Sequence, residues 1–331
     1  MQFRTTIELK PFDRRTDHSQ PILSLGSCFA SNVAERLSRA KFCVTSSPTG
    51  ILFNPESIAA TLDRFDAVAR GDNGALPAAE DLAYGNERWF SYDFHSDFSA
   101  TDATDALAAM QEAVRHGAQA LKDAQVVIIT FGTAFVFRHK QSGDVVANCH
   151  KQPQANFVKE LLSAEEIATR YKTLIDGPLA NKRIILTLSP VRHLGDGLEQ
   201  NSLSKSTARV AIDLIVRSCH NAHYFPSYEI LVDELRDYRF YADDMLHPSA
   251  KAIEYIWECF GKCYFDKETD RLNEEIEAVI RAMEHRPFDM ASDGYKKFLK
   301  NLLGKIEAIE DKYSYIDFEK EKMRCNTLLN R

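Results

Sequence analysis

Two stretches of this sequence carry residue types that can do nucleophilic chemistry together. Near the N-terminus, Leu23-Ser24-Leu25-Gly26-Ser27-Cys28-Phe29-Ala30 places a glycine and a serine where a short apolar run passes into a helical pattern. Far downstream, Asp243-Asp244-Met245-Leu246-His247-Pro248 places a carboxylate three residues before a histidine. A serine hydroxyl is a weak nucleophile at neutral pH until a positioned base takes its proton, and that base needs a third group to orient it. Ser27, His247 and Asp244 supply these three parts, which points to an ester hydrolase or an acyl transferase. Asp244 suits the orienting role better than Asp243, because a spacing of three lets both side chains meet across one turn. Ser27 in front of a helix also suits a cap that accepts from exposed amides. Cys28 is the second candidate nucleophile, intrinsically the stronger, although a cysteine beside a buried strand is more often a core residue. The start of the following helix favours negative charge on either group.

Residues this far apart need a scaffold that brings them together. Short apolar runs at 21–25, 42–45, 126–131, 183–188 and 222–225 alternate with helical patterns, the signature of a parallel sheet covered on both faces. Sites in such sheets form beyond the carboxyl ends of the strands. Ser27 follows the first run, Gly132-Thr133 the third, and Ser189-Pro190-Val191-Arg192-His193 the fourth. Residues 66–98, 148–157 and 192–205 read as long irregular insertions, which are usually functional or mobile. After about Phe265 the pattern changes. Leu272, Ile276, Val279, Ile280 and Met283 mark one amphipathic helix; Phe298, Leu299, Leu302, Leu303, Ile306 and Ile309 mark a second, with Pro287 between them. The expected organisation is an α/β domain over 1–265 and a helical C-terminal extension over 266–331. The extension is expected to pack on the first domain or on a partner, and its stripes raise the expectation of a homodimer.

Composition narrows the function classes. The chain has 331 residues, 44% of them hydrophobic and 27% charged, which is ordinary for a soluble globular protein. A formal net charge of -7, without a basic aromatic-interleaved run, argues against nucleic acid as a partner. No apolar run is long enough to span a membrane, and the first ten residues lack the apolar core of a signal peptide. The seven cysteines are scattered without a C-x-x-C pair, so a reduced, cytoplasmic protein without a structural zinc is expected. His150, His193 and His220 have no partner at ligand spacing, so no metal is expected. A Walker A loop and a convincing G-x-G-x-x-G are absent, and no cofactor is expected. The G-x-S-x-G nucleophile elbow is absent as well.

The chain resembles the GSCFA family, a branch of the SGNH/GDSL hydrolase group. Gly26-Ser27-Cys28-Phe29-Ala30 is the namesake motif. Similar blocks stand at Pro48-Thr49-Gly50-Ile51-Leu52-Phe53-Asn54-Pro55, Phe131-Gly132-Thr133-Ala134 and Asn148-Cys149-His150-Lys151. Others are Ser189-Pro190-Val191-Arg192-His193, Tyr224-Phe225-Pro226-Ser227-Tyr228-Glu229 and the Asp244-x-x-His247-Pro248 block. They cover about residues 20 to 260 in order. The resemblance implies a three-layer α/β/α, flavodoxin-like SGNH hydrolase domain with Ser27 as nucleophile, His247 as base and Asp244 as orienter. It implies an oxyanion hole of the Ser27 amide, a glycine amide (Gly50 is the candidate) and an asparagine side chain. Here the asparagine block reads Gly132-Thr133-Ala134, so Thr133, or Asn54, Asn148 or His150 from a loop, must supply the third donor. Losing one such donor costs roughly 3 to 4 kcal/mol of transition-state stabilisation. Asn148, His150, Arg192 and His193 are expected to line the substrate pocket. The expected reaction is cleavage of a small-molecule or saccharide ester, such as an O-acylated sugar. The alternatives are acyl transfer onto a glycan, or a non-catalytic carbohydrate- or ligand-binding module.

Overall fold

A computed structural model of the chain describes residues 4–285, 287–289 and 292–330. Its strands are β1 (Ile22–Gly26), β2 (Val44–Ser46), β3 (Ala83–Gly85), β4 (Arg88–Phe90), β5 (Val126–Phe131), β6 (Phe135–His139), β7 (Val145–Val146), β8 (Phe157–Leu161), β9 (Arg183–Leu188) and β10 (Ala222–Phe225). Its helices are α1 (Cys28–Arg39), α2 (Pro55–Ala69), α3 (Ala103–Asp123), α4 (Ala164–Asp176), α5 (Gly197–Ser218), α6 (Ser227–Glu229), α7 (Ala250–Tyr264), α8 (Lys267–Glu284), α9 (Asp293–Lys312) and α10 (Glu319–Leu329).

Five strands form one parallel sheet in the order β10-β9-β5-β1-β2. Counted among themselves in chain order, they run 2-1-3-4-5, the flavodoxin-like arrangement. The chain steps outward from β1 to β2, returns past β1 to β5, and continues through β9 to β10. Right-handed crossovers in opposite directions put their helices on opposite faces. α1 therefore covers one face and α2 to α5 the other, giving three layers. On the latter face Leu23, Leu25, Val127, Ile129 and Leu186 join Leu62, Phe65, Val114 and Ile212 in one buried cluster. On the opposite face Ile22, Ile128 and Ile185 are just as buried. That double burial explains the β-branched, non-alternating composition of β5 and β9. Pairing of Gly26 with Thr130 and of Phe131 with Leu188 brings the carboxyl ends of β1, β5 and β9 side by side. The turns after β1 and β5 thus share the switch point at which the strand order reverses.

Two expected loops contain regular structure. α2 runs to Ala69, and the following stretch forms short 3-10 turns and the β3–β4 hairpin. α5 begins at Gly197, so much of the expected loop at 192–205 is helical. Its buried stripe there includes Ser204, Lys205 and Ala208, and a polar stripe erases the apolar period that reveals a helix. A small antiparallel sheet, β7-β6-β8, adds Phe135, Phe137 and Lys159 above the carboxyl edge of the main sheet's α2 to α5 side.

The chain divides into two units. One holds the sheet and comprises residues through Glu8, Pro21–Ala34 and Val44–Glu258; the other gathers Leu9–Gln20, Glu35–Cys43 and the residues from Cys259 onward. The helical unit thus includes two segments distant in sequence from the boundary expected at 265. Within it Leu272, Ile276, Val279 and Met283 of α8 bury against Leu299, Leu302, Ile306 and Ile309 of α9, with Phe318 and Cys325 completing the cluster. The stripes that raise the expectation of a dimer are in this way buried inside the unit. No helix among the described residues is long and apolar enough to cross a membrane.

Candidate active site

The turn after β1 is shaped by Gly26, whose φ is +138° and whose notional Cβ would lie 2.2 Å from the Thr130 carbonyl oxygen. Only glycine lets β1 approach β5 this closely. Ser27 follows, 1% exposed, its amide donating to Thr130 O at 3.3 Å. Its hydroxyl meets no hydrogen-bonding partner among the described residues. A Cβ on Gly132 would come within 3.2 Å of Ser27 Cβ, so the serine is wedged between the two turns. Consecutive side chains leaving a strand point to opposite sides, and burying Ser27 inward brings Cys28 out. Cys28 opens α1, and its Sγ lies 3.5 Å from His247 Nε2. The imidazole thus faces Cys28, the second candidate from the sequence, and not Ser27, the first.

His247 is held as a base should be. Its Nδ1 pairs with Asp244 Oδ2 at 2.6 Å, and the other carboxylate oxygen accepts from the amides of Leu246 (2.9 Å) and His247 (3.0 Å). Those amides, followed by the imidazole, hold the Asp244 carboxyl down to about 2, so it is ionised at neutral pH. With Nδ1–H donated to a carboxylate, the hydrogen-bond network assigns the lone pair of the neutral ring to Nε2, toward the sulfur. Arg192 braces this loop. Its amide donates to Leu246 O at 3.1 Å, its guanidinium to Met245 O at 3.2 Å, and it stacks over Tyr238 and Tyr241. Arg192, expected in the substrate pocket, is therefore committed largely to positioning the histidine loop.

The surroundings of Cys28 act in both directions. Burial pushes its thiol up from the usual value; the Phe29 amide, Lys205 and its own amide pull it down, and Asp244 adds a small upward push. Burial outweighs the rest, so the thiol is held above its usual value and depends on His247 to take its proton.

Lys205 went unnoticed in the sequence. It is 1% exposed, and its ammonium donates to Gly132 O at 2.7 Å and Ser189 O at 2.6 Å, at the carboxyl ends of β5 and β9. Burial lowers it to about 7. His193 Nε2 shares Gly132 O at 3.0 Å and is lowered to about 4, by burial and then by Lys205. Helical spacing of Asn201, Ser204, Lys205 and Ala208 was the available signal, because i, i+3, i+4 and i+7 lie on one face.

The remaining expected donors divide. Gly50 N donates to Ser47 O at 2.8 Å within a turn, so its amide is already engaged. Thr133 Oγ1 accepts from Phe135 N at 3.0 Å and pairs with Ser204 Oγ at 2.8 Å, so its hydroxyl is engaged too. His150 is turned elsewhere, its Nε2 against Ser91 O and Phe94 O and its ring stacked on Phe90. Asn54 caps α2 through Oδ1, accepting from Ser57 N at 2.8 Å; among the described residues its Nδ2 meets no acceptor. Asn54, Thr133, Asn148 and His193 do converge on a cavity of about 320 Å³ that also includes Phe53, Phe135, Phe137 and Asn201. Its Phe53 and His193 both touch Gly132, which links the cavity wall to the turn that carries Ser27 and Cys28. Among the described residues no group of three or more His, Cys, Asp or Glu side chains is arranged to hold a metal ion.

A doubly wound parallel sheet with a Cys-His-Asp constellation at its switch point is the class that fold and site define. The chain belongs to the GSCFA family, whose signature it matches over residues 21–260. Residues 276–331 match the C-terminal domain of GSCFA domain proteins. No curated protein and no solved structure matches the chain.

Proposed function

We propose that this protein is an acyl-transfer enzyme of the ester-hydrolase type that works through a thioester on Cys28. The observation that carries this reading is the line Cys28 Sγ, His247 Nε2, His247 Nδ1, Asp244 Oδ2, with separations of 3.5 Å and 2.6 Å at its two hydrogen-bonding steps. His247 takes the thiol proton as sulfur attacks an ester carbonyl. The C–O bond then breaks, and the departing alkoxide takes that proton from the imidazolium. Water, or the hydroxyl of an acceptor, resolves the thioester with His247 again as base. The amides at the start of α1 and the Asn54 side chain are the proposed oxyanion donors. An O-acylated saccharide is the proposed substrate class, since phenylalanine faces and asparagine amides in one cavity suit sugar rings and hydroxyls. A cytoplasmic setting is proposed because the described cysteines form no disulfide.

The test is acyl-enzyme trapping. After brief exposure to p-nitrophenyl acetate and acid quench, peptide mass mapping is expected to find acetyl on Cys28. The adduct should be lost in Cys28→Ala and His247→Ala and kept in Ser27→Ala. An adduct that survives Cys28→Ala and vanishes in Ser27→Ala would return the role to the serine. A second reading, a ligand-binding module without turnover, is favoured by the engaged Gly50 amide and Thr133 hydroxyl. Wild-type protein that forms no adduct yet binds acetylated sugars would support it.

A further inference from the structure

Beside the cavity of Asn54 and His193 lies a second one, of about 310 Å³, that the proposed reaction leaves without a role. That volume is near the lower end of the roughly 300 to 1,000 Å³ typical of small-molecule sites, room for a single ring. Tyr228, Tyr238 and Tyr241 line it, with Leu198, Leu231 and Arg236. Tyr238 is 61% exposed, so much of its ring is open to a ligand. Arg192 lies over it and over Tyr241, 5.5 Å from either ring centroid, and the two rings meet at 5.8 Å. One wall is a π-helical turn, Ile230–Leu235, after which Arg236 sits in the left-handed region at φ +46°. Such turns are rare and recur at functional sites, and a non-glycine residue at positive φ is strain that the rest of the fold has to hold. Asp237 pairs with Arg239, and among the described residues the Arg236 guanidinium meets no carboxylate.

The place of this cavity ties it to the candidate active site. Arg192, which lines it, donates to Leu246 O and Met245 O, and Ala242, next to Tyr241, donates to His247 O at 2.8 Å. The tyrosine wall is thus built on the loop that presents His247. The two cavities also meet at one side chain, since Asn201 lines both. Its Oδ1 accepts from His193 N at 2.9 Å, and its Nδ2 meets no acceptor among the described residues. An amide donor is therefore left at the junction. Aromatic faces with an amide and a guanidinium beside them suit a sugar ring, its C–H faces against the tyrosines and its hydroxyls on the donors. We infer that this cavity is a second saccharide subsite, and that the substrate is an O-acylated oligosaccharide of two or more rings. The acylated ring lies in the cavity of Phe53 and Asn54, the next ring against Tyr238, and the link between them passes Asn201. Which ring is acylated rests on the proposed reaction, whereas the binding of adjacent rings does not require turnover. A remote ring joined to the reacting ester adds binding energy that raises kcat/KM, so the longer saccharide should be preferred.

The test compares mono-O-acetylated monosaccharides and disaccharides of glucose, galactose, mannose and xylose as substrates of the full chain. For at least one sugar the disaccharide is expected to show a kcat/KM about tenfold above its own monosaccharide, the worth of one well-stacked ring. In Tyr238→Ala and in Arg236→Met that ratio should fall toward one. Both side chains are exposed, so the substitutions spare the core, and a ratio cancels any change in the histidine loop common to both substrates. Ratios near one for every sugar, or an advantage that survives both substitutions, overturn the inference. Should no acetylated sugar turn over, p-nitrophenyl acetate decides whether the proposed chemistry also fails, and binding alone tests the subsite. Saturation-transfer NMR with the unacetylated disaccharides should then show contact with wild type that weakens in Tyr238→Ala. No contact, or contact untouched by the substitution, overturns the inference.

Discussion

Around the turns after β1, β5 and β9 the buried side chains include Ser27, Thr130, Thr187, Ser189, Ser204 and Lys205. The cluster formed by α8, α9 and α10 is instead built of leucine, isoleucine, valine, aromatic rings and two sulfurs, and its charges sit outside in pairs such as Lys322 with Glu310. The helical cluster follows the pattern that maximises stability, with an apolar stripe at helical spacing inside and ion pairs outside. The sheet edge departs from it, burying a serine hydroxyl and a lysine that meet, among the described residues, no hydrogen-bonding partner and no carboxylate respectively. Polar burial of this kind costs free energy, and such departures concentrate where a fold carries function. Mutations in the two regions should therefore fail in different ways: at the sheet edge chemistry should be lost with little loss of stability, and in the helical cluster the reverse.

The largest effect is expected at the proposed nucleophile. Cys28→Ala should lower the rate of p-nitrophenyl acetate turnover by about a thousandfold or more, with an unchanged unfolding midpoint in urea. Ser27→Ala should keep the rate within about threefold, and removing a buried hydroxyl that lacks a partner among the described residues should leave stability equal or slightly higher. Reversal of these two results would mean that the wedge between Gly26 and Gly132 opens in solution to present the serine.

The converse case is Ile306→Ala. Ile306 is fully buried in the helical cluster, and truncating such a side chain typically costs about 2 to 4 kcal/mol. Urea denaturation should report that loss, while turnover measured well below the transition stays at the wild-type value. A loss below about 1 kcal/mol would indicate that the cluster collapses around the missing atoms.

How far the sequence foretold this molecule depended on whether burial left a pattern to read. The runs at 126–131, 183–188 and 222–225 match β5, β9 and β10, because β-branched stretches bounded by polar turns have few other solutions. His247 and Asp244 were legible because their pairing is local, a spacing of three across one turn. The choice between Ser27 and Cys28 was not. All five residues of β1 are buried, so the strand has no polar alternation from which to phase the residue that comes next. Gly50 and Thr133 take their expected roles from their place in the family blocks, and only the folded geometry, main-chain for Gly50 and side-chain for Thr133, shows that their donors are engaged. Lys205 was hidden for a related reason: its helix turns a polar stripe inward, and polar residues near a glycine read as loop. The Asn54-Pro55 helix start is legible in the sequence, as a capping asparagine followed by proline at the first turn.

The smallest expected effect tests whether charge outside the helical cluster matters as little as its exposure suggests. Arg39 reaches Glu277 at 3.1 Å and Glu284 at 3.0 Å, all three side chains being partly open to solvent. Burial pushes the Glu277 carboxyl up, but hydrogen bonds from Arg39 and Arg281 outweigh it and leave it below the usual range. Glu284 is lowered by Arg39. For carboxylates depressed in the folded state, the stabilisation is complete above the unfolded value of about 4.3 and is lost as pH falls through the lower folded values. Arg39→Met, which keeps much of the apolar stem, should therefore lower Tm by no more than about 2 °C at pH 7. The difference from wild type should disappear in acid and shrink at about 1 M salt, where screening acts over only about 3 Å. A deficit that persists in acid and at high salt would instead belong to the packing of the arginine stem. The helical unit would then depend on apolar contact even at its charged rim, and the contrast with the sheet edge would be wider than its ion pairs suggest.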